Sequence, residues 1–380
     1  MPRRVHLLAQ VVISIFAATV LALVLLACGG TRASTEQTEP SMTPPVAKRL
    51  PHALEDHDQT RQDPYYWMRS DDRSDEEVLS HLAAENAYAE QELAPLAGFR
   101  ESLFEEIVAR IPKDDESVPY RLDGYWYYRR VEEGKEYPIY CRRAGTMQAD
   151  EQVILDANAE AEGHDYYSAK GLTTSVNGEV LAYGEDLVSR RIYTLKFKNL
   201  TTGEMLPDEI PGTSGGAVWA LDNQTVFYVK KEEGTLREYQ VWRHTLGTDA
   251  AADVLVYEEE DAEFYLGISR SRSRDYVLIG SYQTLSHEYR YVDAREPTSD
   301  PVVFLPRESA HEYDIDHYDG RFYVRTNWEA RDFRLMSTAS AVDAGGAATA
   351  DKATSWAAVR SAQGMMLRRA MPSRRAETTR

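Results

Sequence analysis

Cysteine is almost absent: two residues in 380, Cys28 and Cys141. That excludes a disulfide framework and leaves no cysteine cluster for a metal or redox centre. Clustered lysine and arginine are also lacking. Asp and Glu number 62 against 43 Lys and Arg, a formal net charge of −19, which argues against nucleic acid as a partner, because phosphate binding needs concentrated positive charge. The balance fits a solvated acidic body, or one that receives basic ligands. There is no glycine-rich phosphate loop, so no cofactor is expected. Phenylalanine is scarce, 9 residues against 24 tyrosines, and tyrosine suits half-buried strands with one wet end.

What is present begins with a targeting segment. "MPRRVH" supplies positive charge and "LLAQVVISIFAATVLALVLLA" a long apolar stretch. It closes with Leu25-Leu26-Ala27-Cys28, which resembles the bacterial lipobox, where the cysteine takes the lipid and becomes the mature N-terminus. The alternative is an uncleaved signal anchor. Residues 1–28 are therefore expected to be a lipoprotein signal peptide with lipidation at Cys28. Gly29 lacks the aspartate that retains such proteins at the inner membrane, which implies the outer membrane or the periplasmic side of a bacterial envelope. Residues 29–50, rich in Ser, Thr and Pro, read as a flexible tether. With Cys28 lipidated, Cys141 in the strand-like "YPIYCRR" is a lone buried thiol.

From residue 51 to 112 the pattern is helical. "DEEVLSHLAAENAYAEQELAPL" and "FRESLFEEIVARI" space apolar residues three and four apart, with Pro112 ending the second helix. From 113 to 338 the period becomes two and a unit repeats. "LDGYWYYRRV", "VNGEVLAYGED", "LDNQTVFYVKK", "RSRDYVLIGSY" and "YDGRFYVRTN" each join a polar turn to alternating apolar and polar residues. Their turns, near Gly124, Gly178, Asn223, Arg274 and Gly320, recur every 45 to 54 residues. Second strands follow ("EYPIYCRR", "RRIYTLKF", "YQVWRHTL", "EYRYVDA", "FRLMS"), and a third kind lies between units ("QVILDA", "DVLVYEE", "PVVFLP"). Such self-similarity predicts a mainly β chain with about five β-propeller blades, each needing a neighbour on both faces. A Greek-key sandwich is the alternative. Residues 339–380 lose the pattern, are rich in Ala, Arg, Ser and Thr, and read as a disordered, aberrant tail, such as a frameshift or a premature end of the gene would produce.

The strings "EDHDQTRQDPYYWMRSDDR", "YWYYRRVEEGKEYPIYCRR", "ILDANAEAEGHDYYS", "LPDEIPGTSGGAVWALDNQTVFYV" and "PRESAHEYDIDHYDGRFYVRTN" resemble oligopeptidase B of the prolyl oligopeptidase family, over about Leu50 to Ser337. The resemblance implies a seven-bladed propeller paired with an α/β-hydrolase domain that cleaves short peptides after Arg or Lys with a Ser-Asp-His triad. This chain would correspond to the helical segment and an incomplete propeller, with the hydrolase domain missing. Short basic peptides are then the implied substrates, and a separately encoded hydrolase domain is a possible partner; for a binding module, an acidic channel could hold basic peptides. No catalytic, metal or cofactor residue carries over. Three readings follow: an inactive propeller portion of the peptidase, a non-catalytic binding module, or half of a split enzyme. An incomplete ring with uncovered terminal blades is expected to be marginally stable.

One motif competes with that reading. Gly212-Thr213-Ser214-Gly215-Gly216 spells the G-x-S-x-G of a nucleophile elbow, which needs a strand, a sharp turn and a helix. Strand-forming residues follow Ser214, so it is read as a loop serine between blades. His311, Glu312 and His317 miss the metalloprotease spacing. His164, the pair Asp114-Asp115 and the run Glu258–Asp261 are read as solvated. Trp67, Trp126, Trp219 and Trp242 are expected to pack between blades.

Overall fold

The computed structural model describes residues 43–338 and the backbone of Ala357–Ala358. Cys28, the signal segment, the tether up to residue 42 and the remainder of 339–380 lie outside the described residues. The chain divides into two compact units, residues 1–110 and 111–380.

The first unit is not helical throughout. A hairpin comes first, β1 (Ala53–Asp56) against β2 (Gln59–Gln62). Its two loop residues, His57 and Asp58, both have positive φ, at 51° and 58°, as a two-residue loop matched to strand twist requires. Helix α1 (Glu76–Leu93) starts where Asp75 accepts the backbone N–H groups of Glu77 and Val78 at 2.9 and 3.1 Å. Helix α2 (Ala97–Val108) ends four residues before Pro112. Its apolar stripe, Phe99, Leu103, Phe104 and Ile107, is exposed among the described residues.

The second unit holds the repeat. The first blade comprises β3 (Asp115–Glu116) and β4 (Tyr120–Leu122), both paired to β5 (Tyr125–Val131), then β6 (Ile139–Ala144) and β7 (Glu151–Asp156). The second contains β8 (Ser168–Thr174), β9 (Val180–Asp186), β10 (Tyr193–Asn199) and the start of β11 (Met205–Trp219). The third takes the end of β11 with β12 (Thr225–Lys231), β13 (Glu238–Thr245) and β14 (Val254–Glu258). The fourth is β15 (Tyr265–Arg270), β16 (Tyr276–Tyr282), β17 (His287–Asp293) and β18 (Val302–Leu305). In the fifth, β19 (Tyr313–Tyr318), β20 (Arg321–Thr326) and β21 (Arg334–Thr338) are joined by β22 (Ala357–Ala358). The last pairing, Met336 with Ala358, corrects the expected break after residue 338: part of the tail completes the fifth sheet.

The five repeated stretches, from "LDGYWYYRRV" to "YDGRFYVRTN", form β5, β9, β12, β16 and β20. Their five turn residues, Gly124, Gly178, Asn223, Arg274 and Gly320, all have positive φ, between 59° and 83°. Equivalent backbone geometry at equivalent places explains the recurrence. The alternation read as apolar and polar is a division between two buried faces. Along β9, Leu181 and Tyr183 pack with Tyr127 and Leu155 of the first blade, while Ala182 packs with Trp219 and Val226 of the third. Along β12, Val226 and Tyr228 turn back to the second blade, and Phe227 and Val229 turn forward to Val277 and Ile279 of the fourth. Leu278 joins Tyr313 and Phe322 of the fifth. Burying both faces of each middle blade is the dominant stabilising term, at roughly 25 cal/mol per Å² of apolar surface.

Burial corrects two expectations. Trp219 and Trp242 do pack between the second and third blades, but Trp67 belongs to the first unit, where its indole N–H donates to the Lys48 carbonyl at 2.9 Å. The run Glu258–Asp261 is not wholly solvated, since Glu259 is 3% exposed. It pairs with Arg307 at 2.5 Å and accepts from the Tyr257 hydroxyl at 3.0 Å. Burial pushes the Glu259 carboxyl up, but the Arg307 hydrogen bond, the Ser281 hydroxyl, the Asp261 N–H and the Arg307 charge together outweigh it and hold it below the ordinary value. A depressed folded-state value means this carboxylate stabilises the fold at pH above the unfolded value of about 4.3 and ceases to as pH falls through the folded one. Glu259→Gln should flatten the loss of stability on acidification, measured by denaturant titration at several pH values. An unchanged slope would contradict the assignment.

Candidate functional site

Each blade contributes one inner strand: β4, β8, the second half of β11, β15 and β19. These carry the glycines, threonines and short polar residues that periodicity reads poorly, and none was legible as a strand of the repeat. Their C-terminal ends border a cavity of about 600 Å³ lined by Arg121, Thr173, Trp219, Arg270, Arg272, Arg274 and Asp316, among others.

The cavity lining is cationic, four arginines against Asp316, the opposite of the acidic channel considered for a binding module. Asp123, in the turn after β4 with φ 50°, forms an ion pair with Arg274 and lies 3.8 Å from Arg270. These contacts bridge the first and fourth blades. Asp316 accepts backbone N–H bonds from Arg272 and His317, at 2.8 and 2.7 Å, while burial raises its carboxyl above the ordinary value. Burial also lowers the Arg270 guanidinium from its usual value. The guanidinium groups of Arg121 and Arg272 make no ion pair among the described residues.

Ser214 lies within β11, a continuous strand from Met205 to Trp219, and not in a loop. The first part of β11 pairs with β10 and the last part with β12, so the strand crosses from the second blade into the third. No turn into a helix follows. The glycines let backbones approach at the crossing: a Cβ on Gly171 or Gly184 would sit 2.3 Å from the Gly215 carbonyl oxygen or 2.4 Å from its Cα. Thr213 fixes the kink, its hydroxyl donating to the Tyr193 carbonyl at 2.9 Å and accepting from Gly215 N–H at 3.2 Å. The Ser214 hydroxyl has no hydrogen bond to an imidazole or carboxylate among the described residues, and its carbonyl accepts from Lys170 at 3.2 Å. The motif is spelled by the demands of strand crossing, not of nucleophilic attack.

The remaining candidates are dispersed. His311 is buried against Thr326 at 2.8 Å and stacks on Tyr313. His317 reaches Ser273 at 2.7 Å and packs against Tyr276 and Phe322, with burial lowering its pKa. His164 is exposed, and Asp114 accepts from the Glu133 N–H at 3.0 Å. Cys141 is fully buried, its thiol pushed up to about 11.

Sequence reasoning missed a buried polar relay. His244 lies between two carboxylates, Nδ1 to Asp253 at 2.6 Å and Nε2 to Asp208 at 3.1 Å, and the Tyr228 hydroxyl donates to Asp253 at 2.7 Å. Asp208 comes from β11 and the other three from the third blade or its last turn. No local signal joins residues so far apart in the chain.

The comparisons with known proteins decide the family. Residues 44–351 match the family described as prolyl oligopeptidase, N-terminal beta-propeller domain. The chain belongs to the prolyl oligopeptidase family. Dipeptidyl aminopeptidase BI of Pseudoxanthomonas mexicana is 43% identical over 314 residues, covering 78% of this chain and 43% of the relative. Protease 2 of Moraxella lacunata is 35% identical over 299 residues, covering 77% and 43%. Oligopeptidase B from Leishmania major superposes with a TM-score of 0.73 at 32% identity, covering 78% of this chain and 44% of that one. This prolyl oligopeptidase chain thus spans less than half the length of the relatives it matches. It corresponds to the N-terminal propeller portion of an oligopeptidase B-like peptidase, in a family that acts on peptides.

Proposed function

We propose that this propeller belongs to a serine peptidase that cleaves short peptides after Arg or Lys, and that its own part is to control access while the nucleophile lies outside the described residues. The observation that carries this is the family match over residues 44–351, joined to inner strands that border an open cavity. The exposed stripe on α2 suits a surface that docks a hydrolase domain, whether encoded in the same polypeptide or separately. Replacing the equivalent portion of the Leishmania major enzyme with residues 43–338 should retain cleavage of Arg- and Lys-linked reporter peptides. Ser214→Ala in that hybrid should leave kcat/KM within about twofold. A folded but inactive hybrid would overturn the reading, as would loss of activity on Ser214→Ala.

A second reading, a non-catalytic binding module, is favoured by the arginine-lined cavity itself. Under either, we propose that Cys28 carries a lipid that tethers the protein to the bacterial envelope. Support comes from the lipobox-like Leu25–Cys28 and the tether behind it. Cys28→Ala should abolish incorporation of a labelled fatty acid and move the chain out of the membrane fraction. Unchanged labelling would remove the anchor.

A further inference from the structure

We propose that the cavity at the inner-strand ends binds the C-terminal carboxylate of a short peptide through Arg121, Arg270 and Arg272. The proposal rests on the functional reading above only in taking the ligand to be a peptide.

Unmatched donors carry it. Four guanidinium groups line the cavity, and the described carboxylates do not use them up. Asp123 is committed to Arg274. Its second oxygen is buried without a hydrogen bond, and Arg270 stands 3.8 Å from it, beyond hydrogen-bond distance. Arg270 is therefore a guanidinium with 17% side-chain exposure whose fork of N–H donors meets no acceptor within hydrogen-bond distance among the described residues. Asp316 is occupied by two backbone N–H groups, and burial disfavours its charged form more than the nearby Arg272 charge favours it. Arg121 and Arg272 are exposed towards the opening and carry no ion pair among the described residues. In a chain of net charge −19, four arginines gathered in one concavity favour an anion there.

Shape and chemistry narrow the anion. About 600 Å³ is the size of a small-ligand site and has room for several residues. The guanidinium fork matches a planar carboxylate two bonds at a time. Val218 and Leu122, both half-buried, supply apolar surface beside the arginines for a terminal side chain. A peptide presents one terminal carboxylate whatever its sequence, so this contact would measure length and polarity rather than composition.

Calorimetric titration of the 380-residue chain at low salt tests this, using penta-alanine as the free acid, penta-alanine amide, and inorganic phosphate. The free acid should bind at least tenfold more tightly than the amide and more tightly than phosphate. The double variant R121Q/R272Q, whose two side chains are exposed and so dispensable for folding, should erase the preference while its melting curve stays that of the parent. Equal binding of acid and amide would overturn the proposal, as would phosphate binding more tightly than the free acid, or a double variant that keeps the preference. Failure of the hybrid enzyme with a positive titration would remove the peptidase reading and leave the site. The reverse outcome would remove only the site.

Discussion

Gly184→Ala should destabilise the propeller by about 3 kcal/mol, lowering its melting temperature by roughly 6–12 °C. The added methyl would fall 2.4 Å from the Gly215 Cα and 2.6 Å from its carbonyl oxygen. Those atoms belong to the backbone of β11 at the point where it leaves one blade for the next. No side chain can swing away to make room, so two sheets must move apart, and the packing of Ala182, Phe197 and Trp219 moves with them. Gly216→Ala is the matched control. It lies one residue beyond Gly215 on the same crossing strand, has open space where a methyl would project, and does not need a positive φ. Its effect should stay within about 0.5 kcal/mol. Equal effects of the two substitutions, measured by denaturant unfolding, would show that the crossing is not held by backbone contact.

The second large effect is expected at His244. With 0% side-chain exposure, its ring separates the carboxylates of Asp208 and Asp253, themselves 3% and 1% exposed. His244→Ala takes one hydrogen bond from each at once, leaving Asp253 with the Tyr228 hydroxyl and Asp208 with the Gly247 N–H, and opens a void beside Phe197. Breaking a buried hydrogen-bond network and leaving a cavity in its place costs about 3–5 kcal/mol. His164→Ala, at an exposed position, should change stability by less than about 0.5 kcal/mol. Because Asp208 sits on β11 and His244, Tyr228 and Asp253 sit in the third blade, the loss should appear first as separation of the second and third blades. Hydrogen exchange of β10 and β12 amides would report it. A His244→Ala protein with parental stability would mean that the relay contributes nothing to blade stacking.

The two predictions concern the same seam, and the sequence exposed neither. Gly212–Gly216 was legible as a motif but carried two meanings, because glycines around a serine serve a sharp elbow and a tight strand crossing equally well. What separates them is whether a helix or a second sheet receives the chain, and that is a property of distant residues. The relay was invisible for a related reason. Asp208 and His244 are 36 positions apart, and a histidine flanked by polar and apolar neighbours looks alike whether its ring meets water or two carboxylates. The charge of the cavity was hidden in the same way: a net count of −19 averages over the whole surface, while Arg121, Arg270, Arg272 and Arg274 are gathered only by the curl of blades around their inner strands.

What the sequence by itself determined was the repeat: five turns that require or tolerate positive φ, each followed by a strand of alternating character, and so the number and order of the blades. Local backbone preference and side-chain polarity act within a few residues of their own position, so they survive in a linear reading. Tertiary structure alone decided which faces meet, that β11 serves two blades, that Glu259 is buried on Arg307, and that the inner strands enclose a cationic cavity. Those outcomes depend on contacts between residues distant in the chain, whose energies exist only once the blades have stacked.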